Sequence, residues 1–271
     1  MHTVLSIAGS DCSGGAGIQA DIQTMFANGT YAMAVLTALT AQNTMGISDR
    51  MDVPANFVKE QIDSIYADFK PDAVKIGMLG SAENICMVAE RLSAYRAERV
   101  VLDPVMISSS GTRLISDQAI LLMKQKLFPI VTLLTPNIPE AEVLSGQCIS
   151  SEREMEKAAE IIGTTCHCAV LLKGGHAAGD ANDLLWEENH MEWIYGKRIV
   201  NNNTHGTGCT LSSAIAANLA KGFLLSESIK RAKAYVSDAI AEKMILGHGN
   251  GPLNHWVGVT GTYIGKSTEN R

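Results

Sequence analysis

The sequence lacks several features that mark particular classes of protein. None of the apolar runs among its 271 residues approaches the roughly 20 residues that span a bilayer. Positive charge is also scarce, because 22 lysines and arginines stand against 28 aspartates and glutamates, which leaves a net charge of −6. Nucleic-acid and membrane-surface proteins need a basic face, so we expect neither partner. No basic stretch precedes the first apolar segment, so we also expect no signal peptide and a cytoplasmic location.

Cysteines and linkers are scarce as well. The six cysteines are irregularly spaced, which favours free thiols in a reducing compartment over a disulfide framework. No linker rich in Pro, Gly or Ser divides the chain, and 46% of its residues are hydrophobic, enough for a sizeable core. We therefore expect residues 1–271 to form one domain, with a loose polar tail from about residue 265.

Short apolar runs alternate with amphipathic helical patterns along most of the sequence. The strand predictions are Val4–Ala8, Ala32–Leu39, Ala73–Ile76, Val100–Leu102, Val131–Leu134, Ala169–Leu172, a hairpin of Leu184–Trp186 with Trp193–Tyr195, and Ile199–Val200. The helix predictions are Ile18–Phe26, Phe57–Tyr66, a helix capped by Ser81 through about Arg96, and Leu211–Ala220. This alternation predicts an α/β protein, with a mainly parallel central sheet and helices on both faces.

Polar residues follow nearly every predicted strand, where ligands bind in open parallel sheets. Asp103, Glu140 and Glu142 are carboxylates of the kind that Mg²⁺ prefers, although Glu140 and Glu142 could instead favour the start of a helix after Pro139. Lys173 ends an apolar strand before two glycines, which favours a phosphate contact over a plain surface lysine.

The segment His205-Gly206-Thr207-Gly208-Cys209-Thr210 is the most informative one. Two glycines allow a tight turn, and the helix that follows directs free N–H groups and a partial positive charge to the same place. This arrangement suits a phosphate or a phosphoryl group in transfer. We expect the helix N-terminus to lower the pKa of Cys209.

The Gly-rich segment from Gly9 to Ile18 is only superficially like a dinucleotide-binding fingerprint. Its glycines do not follow the Gly-x-Gly-x-x-Gly spacing, and no acidic residue ends a second strand about 20 residues further on. A loop that closes over a small substrate fits this segment better.

Taken together, separated motifs resemble the hydroxymethylpyrimidine/phosphomethylpyrimidine kinases of thiamine biosynthesis, within the ribokinase-like superfamily. They occur in the family's order over about 250 of the 271 residues. The motifs are Ile7–Asp11 with Gly14–Asp21, Thr37–Thr44, Val74–Leu79, Asp103–Met106, Thr135–Asn137 through Glu142, Leu172–His176, His205–Thr210 and Gly247–His255.

The resemblance implies ATP- and Mg²⁺-dependent phosphorylation of 4-amino-5-hydroxymethyl-2-methylpyrimidine and then of its monophosphate, by a homodimer. It assigns the reading of the pyrimidine to Gln42, whose amide can both donate and accept. The other substrate positions are Gly9, Asp21 and Met78. Lys173, Asn137 and Thr207 would contact ATP phosphates, and Asp103, Glu140 and Glu142 would hold the metal. Cys209 stands where sugar kinases of the superfamily carry a catalytic aspartate, so Cys209 with Gly206, Thr207 and Gly208 forms the expected catalytic loop.

One position departs from the family, because Cys12 stands where serine is usual.

Three other functions stay open. A pyridoxal kinase shares most of these motifs, a sugar kinase would carry aspartate in place of Cys209, and a non-catalytic sensor would keep only the pocket.

Overall fold

The computed structural model describes residues 1–106, 115–175, 180–201 and 203–259. Its strands are β1 (Thr3–Asp11), β2 (Tyr31–Asn43), β3 (Gly46–Asp52), β4 (Ala73–Ile76), β5 (Val100–Leu102), β6 (Leu133–Leu134), β7 (Ala169–Lys173), β8 (Asp183–Glu187) and β9 (His190–Ile194). Its α-helices are α1 (Gly17–Ala27), α2 (Ala55–Asp68), α3 (Ala82–Ala94), α4 (Asp117–Leu122), α5 (Ile138–Ser145), α6 (Glu152–Cys166), α7 (Thr207–Ala220) and α8 (Leu225–Ala241). The predicted loose tail and His176 lie outside the described residues.

The strands of the described residues form one sheet in the order β3-β2-β1-β4-β5-β6-β7-β8-β9. The central pairs from β2 to β7 are parallel, whereas β3, β8 and β9 pair antiparallel at the two edges. The prediction of a mainly parallel α/β sheet is therefore confirmed. The predicted hairpin is β8 with β9, joined through Glu188 and Asn189, which both adopt positive φ.

Helices cover both faces of the sheet because successive residues of a buried strand point to opposite sides. In β1, Val4 packs under α1, α7 and α8, whereas Leu5 belongs to the larger core beneath α2–α6. Val100 and Val101 divide between the two cores in the same way. The protein is thus a three-layer αβα structure. Among the described residues, no helix combines the length and the apolar character needed to cross a membrane.

Two local predictions differ from the structure. Ile199–Val200 is not a strand but part of the connection from β9 to α7, and Val200 is 94% exposed. Strand β3 was not predicted, because most of Gly46–Asp52 is exposed and its polar sequence has no apolar alternation. In contrast, α3 begins as predicted, with the Ser81 hydroxyl accepting a hydrogen bond from the Asn84 amide.

Candidate active site

A cavity of about 650 Å³ lies at the carboxyl edge of the sheet. Its wall is formed by residues at the ends of β1, β2, β4, β5 and β7 and at the starts of α5 and α7. Most of the predicted site residues line this cavity, namely Gly9, Gln42, Met78, Asp103, Asn137, Glu140, Lys173 and Gly206–Cys209. The structure therefore brings together residues that are far apart in the sequence.

The loop before α7 places backbone amides at the cavity. Gly206 is the N-cap residue with φ of 84°, and no side chain caps the helix. The Thr207 amide donates to the carbonyl of Thr204, but the amides of Gly208 and Cys209 fall in the first helical turn, where no intrahelical acceptor exists. They carry the positive end of the helix dipole, which suits an anion.

Close approach requires glycine at position 206 and leaves little room for a side chain at position 208. A Cβ at Gly206 would clash with the carbonyl oxygen of Gly15 in the β1–α1 loop. A Cβ at Gly208 would lie 3.2 Å from Oδ2 of Asp103 and 3.4 Å from Nζ of Lys173. The absence of a side chain at Gly208 therefore brings the amides, the carboxylate and the ammonium to one point.

Asp103, Lys173 and Glu140 form the charged end of the cavity. Lys173 Nζ donates to Asp103 Oδ1 over 2.9 Å. Desolvation lowers the pKa of Lys173, but the attraction of Asp103 and Glu140 outweighs it, so this pKa is raised and the ammonium stays charged. Burial also raises the pKa of Glu140, aided by repulsion from Asp103 and opposed by Lys173. One basic and two acidic side chains therefore share the buried end of the cavity.

The structure also confirms the alternative that Glu140 stabilises the start of a helix, here α5. The Asn137 side chain accepts from the Glu140 amide, and Glu140 Oε2 accepts from the Asn137 amide, both over 2.9 Å, which forms a capping box. Glu140 Oε1 also accepts from the Met106 amide over 3.1 Å. These bonds fix the carboxylate that faces the cavity, so the two interpretations of Glu140 are compatible.

Cys209 lies at the start of α7 beside the anion-binding amides, but its pKa is not lowered as predicted. Desolvation is the largest influence and raises the pKa of Cys209; the positive charge of Lys75 and the Gly17 amide oppose it only in part. The expected lowering by the helix terminus is therefore wrong, because the dipole acts on a thiol that protein surrounds on most sides.

Two predicted site residues do not reach the cavity wall. Asp21 is fully buried beneath it and binds Lys75 Nζ through both carboxylate oxygens at 2.8 Å, so the structure does not support a substrate contact for Asp21. Glu142 turns to the other side of α5, where it accepts from the Ile149 amide over 2.8 Å. Residues two apart on a helix do not share a face, which is why Glu140 and Glu142 separate.

Sequence reasoning missed a polar group next to Gln42. His205 Nε2 lies 2.9 Å from Asp11 Oδ2 and 3.1 Å from the Gln42 amide nitrogen. His205 is nearly buried and lines the cavity together with Asp11 and Gln42. Asp11 and His205 each belong to a motif found in the sequence, but nothing in a linear sequence indicates that these two residues pair.

The far end of the cavity has a different character. It is lined by Gly196–Ile199 and by Val236 and Ile240 of α8. Lys233 and Asp183 form an ion pair there, and Lys233 also donates to the carbonyl of Ala181. Backbone, apolar and polar groups together suit a flat heterocycle. Asp183 at the start of β8, the segment after β9 and the helix near Lys233 therefore form walls of this cavity.

Comparisons with known proteins agree with the geometry. A sequence profile of the family described as phosphomethylpyrimidine kinase matches residues 11–254. The hydroxymethylpyrimidine/phosphomethylpyrimidine kinase of Rhizobium meliloti is 45% identical over 93% of this chain and 96% of that protein. A thiamine biosynthesis bifunctional protein of Geobacter sulfurreducens is 50% identical over 93% of this chain, which spans only 52% of that longer protein.

Solved structures share the fold. A phosphomethylpyrimidine kinase of Clostridium difficile superposes with a TM-score of 0.80 at 42% identity, covering 89% of this chain and all of that one. Pyridoxal kinase of Bacillus subtilis, solved as an ADP complex, gives 0.87 at 32% identity over 94% of this chain and 98% of that one. These neighbours are ribokinase-like kinases. The chain therefore belongs to the phosphomethylpyrimidine kinase family.

Proposed function

We propose that the chain transfers the γ-phosphoryl group of ATP first to the hydroxyl of 4-amino-5-hydroxymethyl-2-methylpyrimidine and then to the phosphate of the monophosphate formed. One observation carries this proposal: the amides of Gly208 and Cys209, Lys173, Asp103 and Glu140 converge at one end of a cavity that also contains Gln42. An anion cradle and a group that can read a pyrimidine edge thus face the same space.

Phosphoryl transfer depends mainly on positioning and on stabilising negative charge. The amides at the start of α7 stabilise charge on the transferring group, because they are held in place before the reaction begins. Lys173 adds a full positive charge, which its two carboxylate neighbours preserve. The far end of the cavity, beside α8, accepts the adenine. Asn137 also lines the cavity. Its side-chain oxygen caps α5, so its amide nitrogen is the atom that contacts the phosphates.

The residues present also fit Mg²⁺ at the charged end of the cavity. Asp103 and Glu140 offer carboxylate oxygens, the ligands that Mg²⁺ prefers beside phosphates and water. A nearby cation would relieve the electrostatic cost that raises the pKa of Glu140. When bound, Mg²⁺ would neutralise charge on the ATP phosphates. Glu142 takes no part, because it faces Ile149.

Cys209 acts as the base in the first transfer only. The hydroxymethyl oxygen attacks the γ-phosphorus, its proton passes to Cys209 Sγ, and the bond from phosphorus to the ADP oxygen breaks. In the second transfer the nucleophile is a phosphate with a second pKa of about 6, which is already ionised at neutral pH. Because the pKa of Cys209 is raised, the first transfer should accelerate as the pH rises beyond the ordinary thiol range, whereas the second should not.

A pyridoxal kinase is the second candidate, because two pyridoxal kinases superpose with TM-scores of 0.86–0.87 at 32–34% identity. Relatives named as pyrimidine kinases reach 45% identity. Gln42 also favours the pyrimidine, whose amino group and ring nitrogen match the two halves of an amide.

An assay of ADP release with each of three acceptors tests the proposal. The hydroxymethylpyrimidine and its monophosphate should both stimulate release, with kcat/KM at least tenfold above that for pyridoxal. Preference for pyridoxal would support the second candidate, and ATP hydrolysis independent of all three would support neither. Replacing Gln42 by Leu should remove the preference for the pyrimidine while the KM for ATP stays unchanged.

We also propose a homodimer, as the family resemblance implies, and a cytoplasmic location, as the N-terminal sequence suggests. Light scattering after size exclusion should give twice the chain mass of 29.0 kDa, and a monomeric mass at micromolar concentration would contradict this.

A further inference from the structure

Three polar side chains, Thr40, His205 and Asp11, gather around the end of Gln42. The amide nitrogen of Gln42 faces His205 Nε2 at 3.1 Å, and its amide oxygen faces Thr40 Oγ1 at 3.1 Å. His205 Nε2 also lies 2.9 Å from Asp11 Oδ2, and Thr40 Oγ1 donates to the Ser10 carbonyl over 2.9 Å. Thr40, His205 and Asp11 are buried, so water cannot readily replace any of these partners.

The charge on Asp11 determines whether the facing nitrogen of His205, Nε2, carries a proton. Its carboxylate also accepts from the Ser13 amide and hydroxyl and from the Ala16 amide, at 2.8–2.9 Å. Desolvation raises the pKa of Asp11, but the bonds from His205 and Ser13 outweigh it and hold that pKa below its usual value. An ionised carboxylate only accepts hydrogen bonds. His205 therefore carries a proton on Nε2 and donates it to Asp11.

That proton fixes the best orientation of the Gln42 amide. With its nitrogen toward His205, two donors face each other, and the single Thr40 proton must serve both Ser10 and Gln42. A 180° turn of the amide exchanges nitrogen and oxygen without moving any other atom. The Gln42 oxygen then shares the single Nε2–H of His205 with Asp11 Oδ2, and the Gln42 nitrogen donates to a free lone pair of Thr40. Every donor in the group now meets an acceptor.

We propose that Asp11, His205 and Thr40 hold the Gln42 amide with its oxygen toward His205 and its nitrogen toward Thr40, and thereby select the substrate edge. This inference rests on the proposed function. The remaining lone pair and N–H of Gln42 match an amino group beside an unprotonated ring nitrogen. An analogue with an oxo group beside a ring N–H presents the reverse pattern, so two acceptors and two donors would oppose each other.

A freely turning amide would accept both edges, because either pattern can be matched by one of its two orientations. The fixed orientation therefore provides the discrimination, and it also determines which way the substrate ring lies. His205 lies directly before the N-cap of α7, whose first turn contains Cys209, so the group that orients the ring adjoins the anion cradle. His205, Asp11 and Thr40 are positioning residues, since they act through Gln42.

The test measures kcat/KM for the 4-amino substrate divided by kcat/KM for its 4-oxo analogue. The unsubstituted protein should favour the amino compound by at least about 10²-fold, because the oxo edge leaves buried polar groups unpaired. Thr40→Val, which removes the hydroxyl at nearly constant shape, should reduce this ratio about tenfold. The ratio should fall through KM for the two pyrimidines, with KM for ATP unchanged.

Matched variants separate positioning from structural damage. Thr40→Ser keeps the hydroxyl and should keep the ratio. His205→Leu removes the donor and should lower the ratio, whereas His205→Gln places an amide N–H near the Nε2 position and should restore part of it. A variant that loses activity on both pyrimidines equally, with an unchanged ratio, would overturn the proposal. If His205→Leu does not fold, the Thr40 pair decides.

The unsubstituted protein provides an independent check. Equal use of the amino and oxo compounds would overturn the selection proposed for Gln42 even though the kinase function stands. Failure of the proposed function would look different, because the 4-amino substrate itself would not be phosphorylated, and that result would remove the basis of both proposals.

Discussion

The most instructive perturbation is Lys75→Met, because Lys75 is a charged residue in the middle of a buried strand. Lys75 and Asp21 are both fully buried. The Asp21 carboxylate accepts two bonds from Lys75 at 2.8 Å, one from Ser6 at 2.5 Å and one from Ser213 at 2.7 Å. Methionine would fill the space of the lysine but would leave the carboxylate with two hydroxyl partners and no counter-charge.

The cost follows from that unpaired charge. Breaking a buried ion pair by removing one partner destabilises a protein by about 3–5 kcal/mol. Unfolding entropy of about 2.1 cal/mol/K per residue gives this chain an unfolding entropy of about 0.57 kcal/mol/K. Lys75→Met should therefore lower Tm by about 5–9 °C. The double variant Asp21→Asn with Lys75→Met should recover most of this loss, since no charge remains buried.

Urea unfolding and calorimetry measure the effect, with Lys70→Met as the matched control because Lys70 is exposed. The control should change stability by less than about 0.5 kcal/mol. Lys75→Met and the double variant should both leave KM for the pyrimidine unchanged, because neither residue lines the cavity. A loss below about 1 kcal/mol, or a double variant no more stable than Lys75→Met, would refute the reasoning. An increased pyrimidine KM with unchanged stability would instead restore Asp21 as a substrate contact.

Three further predictions concern the cavity itself. Cys209→Ala should slow the first transfer about 10²–10⁴-fold and the second less than about tenfold; equal losses in steady-state assays would exclude a base role. Gly208→Ala, whose Cβ would lie 3.2 Å from Asp103 Oδ2, should instead lower kcat for both transfers by about 10²-fold, and unequal losses would count against a shared cradle. Glu140→Gln leaves one oxygen to accept from either the Asn137 or the Met106 amide, and it should abolish the response of the rate to added Mg²⁺. Because the folded pKa of Glu140 is raised, its stabilising contribution is present below about pH 4 and lost as the pH rises. The loss of unfolding free energy caused by Glu140→Gln should therefore be smaller at pH 7 than at pH 4, and a larger loss at pH 7 would contradict the raised pKa.

The centre of the sheet could be predicted from sequence to the residue. Ala73–Ile76 and Val100–Leu102 coincide with β4 and β5, because a strand covered on both faces is apolar throughout. Strand β3 could not be found, since an exposed edge strand needs no apolar pattern. The strand prediction for Ile199–Val200 was wrong because two adjacent apolar residues are too few to show a strand or helix periodicity. Only tertiary packing determines whether such residues are buried.

The charged end of the site was predictable because Asp103 follows β5, Lys173 ends β7 and Glu140 starts the helix after β6, and parallel strands end at one edge. The Asp11–His205 pair was not, since its members stand 194 residues apart and their contact depends on how the first loop packs against the start of α7. The lysine within the apolar run Ala73–Ile76 did carry a signal. A charge in such a strand needs a buried partner of opposite sign, and the structure shows that this partner is Asp21.

Helix α7 determines how the cavity can move. All residues from Thr210 to Ala220 are buried, and the helix packs between α1 and α8 and against the sheet. The amides at its start cannot tilt without disturbing the packing around the whole helix. Opening of α7 should therefore require global unfolding, and its amide hydrogens should exchange among the slowest in the chain. Substrate entry and product release must then depend on motions elsewhere around the cavity, on timescales that α7 does not set.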